Sequence, residues 1–400
     1  MAIADRIHRR VRGFRRESPG RLLGVVAAGW FLVLGMRFVV PAVLPTIREE
    51  FAVSNAQAGL AVTVLWLTYA AMQFPAGVLI DRIGERTLLV AAALLSAAGL
   101  LGYFFAPVFS LFLLATAAFG FGSGLYGPTR GTVLARTFDA REGTAFGVVM
   151  AAGSVGAAAL PAVVALVTTR YGWRLAFAAT APLFALVAVA LWLTVSDRPA
   201  SEATRSLRAD LRAAVAGFRH RPLLLAVTGE TLMLFAFQAV TAFLTTYLVT
   251  VREFPQGTAG ALLSVLFVGG ALSQTVTGRF ADRYGTPTVL TAVAIVSVVP
   301  LALVPSVEGL LPLAAVAAAI GVRMSAGPLS NAYMVDSLPD AVQGTGWGLL
   351  RTAFFAVSSL GSTAVGLLAD RGLFDTAFYL LAGLTLLAAG AFAVLPRRES

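Results

Sequence analysis

Long apolar stretches dominate this chain and limit its possible folds more than any other feature. A helix that crosses a bilayer needs about 20 predominantly apolar residues. Only 12% of the 400 residues are charged, about half the fraction that a soluble protein carries. The sequence therefore predicts an all-α membrane protein with twelve transmembrane helices, numbered below as spans 1 to 12. The apolar stretches are 22–45, 57–80, 87–106, 109–131, 143–167, 174–195, 223–250, 257–280, 287–305, 309–333, 344–368 and 374–395.

A short charged phrase that occurs twice indicates an internal duplication. Gly77-Val-Leu-Ile-Asp81-Arg82-Ile-Gly84 lies at the end of span 2, and Gly278-Arg-Phe-Ala-Asp282-Arg283-Tyr-Gly285 lies 201 positions later, at the end of span 8. Gly127-Pro128 returns as Gly327-Pro328 at nearly the same offset. Repetition of this kind predicts two six-helix halves related by an axis along the membrane normal, an arrangement found in transporters.

The longest polar interruption lies between spans 6 and 7 and marks the predicted domain boundary. We expect, in order, a basic N-terminal segment, a six-helix bundle, a basic linker, a second six-helix bundle and a short tail. Their predicted ranges are 1–21, 22–195, 196–222, 223–395 and 396–400.

The placement of arginine predicts how the chain is oriented. All 30 basic residues are Arg, and the net charge is +10. With the N-terminus in the cytoplasm, 21 arginines fall in cytoplasmic segments and five in segments on the opposite side. The positive-inside rule therefore predicts a multi-pass protein of the cytoplasmic membrane with both termini in the cytoplasm. Because the charge follows the membrane topology, it gives no reason to expect a nucleic-acid partner.

With twelve spans in two sixes and Gly-x-x-x-Asp-Arg-x-Gly after spans 2 and 8, the chain resembles the major facilitator superfamily (MFS) over its whole length. The resemblance implies a carrier with one central site between the halves, opened alternately to each side of the membrane. It also implies that Asp81 latches against span 11 in the outward-facing state, since a carboxylate is stabilised near a helix N-terminus. The residues that the resemblance assigns to gating are Gly77, Asp81, Arg82, Gly84, Arg86, Gly278, Asp282, Arg283 and Gly285.

Ionisable residues inside a membrane span are costly and are functional candidates by default. Arg37 lies well inside span 1, and organic phosphate and organic anion carriers of the superfamily often have an arginine at a similar place. We therefore expect Arg37 to contact an anionic substrate, for which the guanidinium fork is suited. Arg323 in span 10 is a candidate second clamp, with a helix-packing ion pair as its alternative. Arg130 and Arg351 are assigned to the gate or the interface between halves, although Arg351 is about as good a candidate for substrate contact.

Glu230 in span 7 is the only carboxylate predicted well inside a span, away from its ends. If it is unpaired, it is the best candidate for a proton-coupling group. If it is paired with Arg323, it is a structural lock. The sequence leaves both alternatives open.

Neutral polar side chains complete the predicted cavity. The candidates are Tyr69, Gln73, Gln238, Gln274 and Asn331. Each has an alternative role as a hydrogen-bonding group between helices, which is common in membranes.

These observations favour a secondary active transporter of a small anion, by symport or exchange. Trp30, Phe31, Trp66 and Phe237 keep a second hypothesis open, proton-driven efflux of amphiphilic drugs. Against it, Thr116 stands where many such exporters have an arginine, and span 5 lacks their Gly-Pro-x-x-Gly-Gly run. A transport-inactive receptor on the same fold is a more remote alternative.

The sequence offers no cluster of nucleophile, base and metal ligands within the spans, so we expect no enzyme activity. With no Cys and two His, no metal site and no cofactor are expected. The expected partners are the lipid bilayer, a small-molecule substrate and protons as the coupling ion, and the expected state is a monomer.

Overall fold

The computed structural model describes residues 19–138, 142–196, 220–338 and 343–396, and these residues contain helices but no strand. Most of the predicted basic N-terminal segment, linker and tail lies outside the described residues. Eleven helices are long and apolar enough to cross a membrane, and one bent pair supplies a twelfth. The eleven are Pro19–Ala42, Glu85–Phe105, Phe109–Thr137, Glu142–Tyr171, Trp173–Thr194, Arg221–Thr250, Gln256–Tyr284, Thr286–Leu303, Leu310–Asp336, Gln343–Ala369 and Phe374–Ala393.

Span 2 is the bent pair, in which Asn55–Ala71 meets Gln73–Ile83 at an angle of 45°. A further short helix, Leu44–Glu50, connects span 1 to span 2. Each predicted apolar stretch corresponds to one of the twelve spans, so the predicted fold class is confirmed.

The last glycine of each copy of the repeated phrase has a backbone role. Gly84 and Gly285 have φ of +80° and +84°, in the left-handed region that glycine adopts without a Cβ clash. Each ends one span and precedes the next, which begins one residue later. The phrase therefore makes the same tight connection between consecutive spans in both halves.

The two halves meet closely at one end of the bundle, here called the closed end, which contains Asn55, Gln256 and Asp370. There, all residues of span 7 from 241 to 248 are buried, as are residues 36–45 of span 1. A helix buried on every side must be surrounded by other helices. Gln256 of span 8 donates a hydrogen bond to the carbonyl oxygen of Ala42, which joins the second half to the first.

Small residues allow spans 2 and 11 to approach closely near the closed end. A Cβ placed on Gly59 would lie 2.5 Å from the carbonyl oxygen of Ser362. The Thr63 hydroxyl donates a hydrogen bond of 2.7 Å to the carbonyl oxygen of Ser359. Close packing of small residues with hydroxyl bonds between helices is the usual means of helix association in lipid.

Asp370, just beyond span 11, completes the closed end. Its carboxylate accepts hydrogen bonds from the backbone N–H groups of Asn55 at 2.7 Å and Ala56 at 2.9 Å. These N–H groups lie in the first turn of span 2, where they have no partner within the helix and where a negative charge is stabilised. Partial burial acts to raise the pKa of Asp370, but the backbone hydrogen bonds from Ala56 and Asn55 outweigh it and lower the pKa below its ordinary value.

The opposite end of the bundle, here called the open end, contains Gly77, Gly278 and Gly344. A Cβ placed on any of these glycines would meet no atom of the described residues within 4 Å. Asp81 and Asp282 of the repeated phrases are exposed there. The halves still touch at Gly348, whose added Cβ would lie 3.3 Å from the Cα of Phe74.

Substitution of Gly59 tests the close approach of spans 2 and 11. We expect Gly59→Ala to destabilise the protein by about 1–3 kcal/mol, because the added methyl group overpacks a helix contact. Thermal unfolding of the purified protein in detergent measures this. The matched control is Gly24→Ala in span 1, where an added Cβ has nothing within 4 Å. Equal unfolding temperatures for the two variants would contradict the close contact.

The Asp370 contact is tested by cysteine labelling, which has no background because the chain lacks cysteine. Asp370→Asn removes the charge that caps span 2, so we expect maleimide to modify Ser362→Cys at least about twofold faster. The control is Asp336→Asn, an exposed aspartate elsewhere. Since the pKa of Asp370 is lowered, its contribution to closure is complete above the ordinary aspartate pKa and lost as the pH falls through the lowered value. Labelling that is unchanged in Asp370→Asn, or that already rises near neutral pH, would be inconsistent with this role.

Candidate functional site

A cavity of about 200 Å³ lies between the two halves near the middle of the bundle. Both halves form its wall, spans 1, 2 and 5 on one side and spans 7, 8, 10 and 11 on the other. Its polar lining consists of Arg37, Ser154, Glu230, Gln274 and Arg323. The structure thus brings together both predicted clamps, the predicted coupling carboxylate and one predicted polar contact.

Arg37 is the last residue of the first helical segment of span 1, which is interrupted at Phe38. Its Nε donates a hydrogen bond of 2.5 Å to the Ser123 hydroxyl, and its Nη2 donates one of 3.3 Å to the Ser123 carbonyl oxygen. Ser123 lies 14 residues into span 4, about 21 Å along the helix. Arg37 is therefore held near the bilayer midplane, where it is only 2% exposed.

Aromatic rings provide the rest of the surroundings of Arg37. Its guanidinium lies 4.2 Å from the ring centre of Tyr69, 5.1 Å from that of Trp30 and 5.6 Å from that of Trp66. The negative faces of aromatic rings attract a cation at these distances. Hydroxyl, carbonyl and aromatic groups thus support the charge of Arg37 without neutralising it.

Two further arginines lie near Tyr69. Arg351, from the second half, donates a hydrogen bond of 2.9 Å to the Tyr69 hydroxyl. Arg130 lies with its guanidinium 3.8 Å from the ring centre of Trp30, and its buried Nε and Nη1 have no hydrogen-bond partner in the described part of the chain. Among the described residues, no carboxylate lies within 4.0 Å of Arg37, Arg130 or Arg351. The region around Tyr69 therefore carries an uncompensated positive charge that favours anions.

Glu230 faces the same cavity from span 7. It is 5% exposed, and the Ser330 hydroxyl donates a hydrogen bond of 2.6 Å to its Oε2. Arg323 lies on a 3-10 segment, Val322–Ser325, that interrupts span 10. Its Nη2 donates to the Met233 carbonyl oxygen at 3.0 Å and to the Thr385 hydroxyl at 3.4 Å. In the described part of the chain, Glu230 and Arg323 form no ion pair within 4.0 Å.

The other predicted polar contacts differ in position. Gln274 lines the cavity and donates a hydrogen bond of 2.9 Å to the Met324 carbonyl oxygen. Gln73 donates to the carbonyl oxygens of Tyr69 and Gly124, so it joins spans 2 and 4. The ring of Tyr69 contacts the guanidinium of Arg37, and Tyr69 is not part of the cavity wall. Gln238 and Asn331 lie outside the cavity wall, and the buried amide of Gln238 has no hydrogen-bond partner among the residues that the structure describes. Substrate contact by these four residues remains a prediction.

The residues assigned to gating lie mostly at the open end. Asp81, Arg82, Asp282 and Arg283 are exposed there. Within the residues that the structure describes, neither aspartate has a hydrogen bond or an ion pair. Arg86 instead is buried within the first half, with its guanidinium 4.2 Å from the ring centre of Trp192.

Sequence reasoning missed several residues of this site. Ser123 lies in the run Gly-Phe-Gly-Ser-Gly, where small residues ordinarily indicate close helix packing, and its bond to Arg37 depends on how spans 1 and 4 cross. Ser330 and Ser154 were missed for the same reason. Phe355 had no signal that separates it from other apolar residues of span 11.

Sequence comparisons place the chain among known transporters. The sequence model of the Major Facilitator Superfamily matches residues 25–361 and 253–400. YfnC, an uncharacterized MFS-type transporter of Bacillus subtilis (strain 168), is 26% identical over 367 residues, which is 88% of this chain and 88% of that protein. A probable L-galactonate transporter of Escherichia coli (strain K12) is 27% identical over 59% of this chain and 56% of that protein. A probable sulfoacetate transporter of Cupriavidus necator, SauU, is 27% identical over 41% of this chain and 38% of that protein.

Solved structures agree on the fold. The crystal structure of the nucleoside transporter NupG has a TM-score of 0.76 at 16% identity and covers 94% of this chain and 98% of that chain. A bacterial homologue of the human lysosomal transporter Spinster, in an inward-facing and unoccupied conformation, has a TM-score of 0.73 at 17% identity and covers 95% of this chain and 97% of that chain. At such identities the likeness concerns the fold alone. The match of the family model over most of the sequence shows, however, that this chain is a member of the Major Facilitator Superfamily of transporters.

Proposed function

We propose that this protein is a secondary active transporter of a small organic or inorganic anion and that it works by alternating access. The observation that carries the proposal is Arg37, which lines a central cavity between the halves and has no carboxylate partner among the described residues. Arg323 faces the same cavity from the second half. An anion between them replaces the hydration that both guanidinium groups lose inside the membrane.

The positions of the closed and open ends support an inward-facing state. By the distribution of arginine, the closed end that contains Asp370 is extracellular, and the open end that contains Asp81 is cytoplasmic. The resemblance to the superfamily implies that Asp81 latches against span 11 only in the outward-facing state. Its exposure here is consistent with a released latch.

The Tyr69 region suggests how an anion promotes the change of state. Arg37 from the first half and Arg351 from the second both contact Tyr69, on its ring and on its hydroxyl. With the site empty, these like charges repel each other across the boundary between the halves. An anion bound at Arg37 reduces this repulsion and allows the halves to close around it. A ligand shifts a conformational equilibrium only if it stabilises one state more than the other. The reduced repulsion gives the anion this preference for the state in which the halves have closed around it.

Glu230 is our candidate for the coupling group. It faces the cavity and accepts a hydrogen bond from Ser330, and it forms no ion pair within 4.0 Å in the part of the chain that the structure describes. Binding of a proton to Glu230 increases the positive charge of the cavity and thereby favours an anion. This linkage of proton and anion corresponds to symport.

Two relatives have names that support an anionic substrate. L-galactonate and sulfoacetate, after which the relatives from Escherichia coli and Cupriavidus necator are named, are both anions. Efflux of amphiphilic drugs, the second hypothesis, finds support in the aromatic rings of the cavity wall. The cavity volume of about 200 Å³ is below the range of about 300–1,000 Å³ typical for drug-sized ligands.

Substitution of Arg37 tests the anion hypothesis. In proteoliposomes, we expect saturable flux of at least one anion from a panel of nitrate, phosphate, phosphate esters, monocarboxylates and dicarboxylates. Arg37→Gln should lower kcat/KM for that anion by at least about tenfold, because a buried charged contact is worth more than one tenfold step in binding.

Arg170→Gln is the matched control, because Arg170 is exposed at the end of span 5. It should transport like the unmodified protein. Flux of a lipophilic cation that is driven by a proton gradient and indifferent to Arg37→Gln would refute the anion assignment and support drug export.

Substitution of Glu230 tests coupling. We expect Glu230→Gln to abolish anion accumulation driven by an inward proton gradient while anion exchange at zero gradient continues. The substitution keeps the side-chain shape and removes the proton-binding group. Glu308→Gln, at an exposed glutamate outside the spans, is the control. Accumulation that persists in Glu230→Gln would exclude Glu230 as the coupling site.

A further inference from the structure

The wall of the central cavity is poor in polar groups outside its three charges. Only Ser154 and Gln274 add neutral polar side chains, and the Gln274 amide nitrogen is already bonded to the Met324 carbonyl oxygen. Hydroxyl groups of a bound solute would therefore lose water without gaining partners, which is costly. This wall disfavours polyhydroxylated anions such as sugar acids.

Aromatic side chains from both halves supply much of the remaining wall. Phe38 and Trp66 belong to the first half, and Phe237 and Phe355 belong to the second. The Trp66 and Phe355 rings are stacked across the boundary between the halves, with centres 5.8 Å apart and planes 12° apart. Phe38 meets Phe237 edge to face across the same boundary, with centres 6.1 Å apart.

The aromatic surface that is free for a solute comes mainly from the second half. Phe38 and Trp66 are only 3% and 4% exposed. Phe237 and Phe355 are partly exposed. The rings of the first half connect this surface to Arg37. Phe38 follows Arg37 in the chain and meets Phe237, and Trp66 lies 5.6 Å from the Arg37 guanidinium and stacks on Phe355. The anion contact and the aromatic surface are therefore neighbours. A solute that uses both has its charge and its apolar body close together.

Charge and volume limit the solute further. The cavity lining contains two arginines and one glutamate. While Glu230 is ionised, these three groups leave one net positive charge, which a monoanion neutralises. An apolar cavity of about 150 Å³ accommodates benzene, and this cavity measures about 200 Å³. One aromatic ring with one carboxylate or sulfonate group therefore fits.

From this combination we infer that the solute is a monoanion built on a single aromatic ring, of which benzoate is the simplest example. Its carboxylate is bound by Arg37, and its ring lies against Phe237 and Phe355. This inference rests on the proposed function, since it specifies which anion the same site takes.

Binding of matched anions tests the inference. The purified protein in nanodiscs is titrated with benzoate, benzenesulfonate, gluconate and lactate by calorimetry. We expect benzoate and benzenesulfonate to bind at least about tenfold more tightly than gluconate and lactate, because only the aromatic anions bury apolar area without stranding hydroxyl groups. Benzenesulfonate, which stays ionised and crosses lipid poorly, is then the probe for uptake in proteoliposomes.

Paired phenylalanine variants locate the ring. Phe237→Leu should weaken benzoate binding by about two- to tenfold, the value of an aromatic contact beyond its area, and should leave lactate binding unchanged. Phe235→Leu is the control, because Phe235 lies two residues away on the same span with its ring against Gly361 of span 11. The unfolding temperature of each variant is measured as well. A value equal to that of the unmodified chain shows that the variant is folded.

The outcomes separate this inference from the proposed function. Tighter binding of gluconate or lactate than of benzoate overturns the aromatic substrate and leaves an anion transporter in place. Equal effects of Phe237→Leu and Phe235→Leu on benzoate binding overturn the location of the ring. Absence of binding and flux for every anion overturns the proposed function itself.

Discussion

The guanidinium of Arg37 lies at the centre of a bundle whose surroundings are lipid, and the arrangement of the first half depends on how that charge is accommodated. Lipid offers no hydrogen-bond partner, so the protein must supply all of them. Ser123 of span 4 supplies two acceptors, and the ring of Tyr69 in span 2 supplies an electron-rich face. Three spans are thereby held in a defined position around one side chain.

The same charge links the two halves. Tyr69 contacts Arg37 within the first half and accepts a hydrogen bond from Arg351 of the second. At the closed end, which the arginine placement predicts to be extracellular, neutral contacts join the halves. The Asp370 carboxylate also accepts a hydrogen bond from the backbone at the start of span 2. The contact at the centre of the boundary is thus cationic, and the contacts at the closed end are neutral or anionic. The proposed function requires this difference, because an anion can then influence one region of the boundary while the other acts as a seal.

Much of the fold follows from the residues themselves. Apolar stretches of about 20 residues can only be helices in lipid, because the backbone must bond internally. Glycine at the end of each repeated phrase permits the positive φ that the turn requires. Charged residues inside spans stand out against an apolar background, which is why Arg37, Glu230 and Arg323 were recognisable as candidates. Ser123, Ser330 and Phe355 were not, because small or apolar residues are ordinary components of any packed span.

The residues alone specify that this chain crosses the membrane about twelve times in two related halves and that a few charges lie inside its spans. Those features are local. Hydrophobicity and charge act through the solvent around each segment, and glycine acts on its own backbone conformation. The folded arrangement of the spans is needed to show that Arg37 contacts Ser123 and Tyr69. It also shows that Glu230 bonds to Ser330 and forms no ion pair with Arg323 among the described residues, and that Gln238 lies outside the cavity wall. These contacts depend on the rotation of each helix about its axis and on where distant spans cross. Apolar faces that are nearly uniform around a helix specify neither.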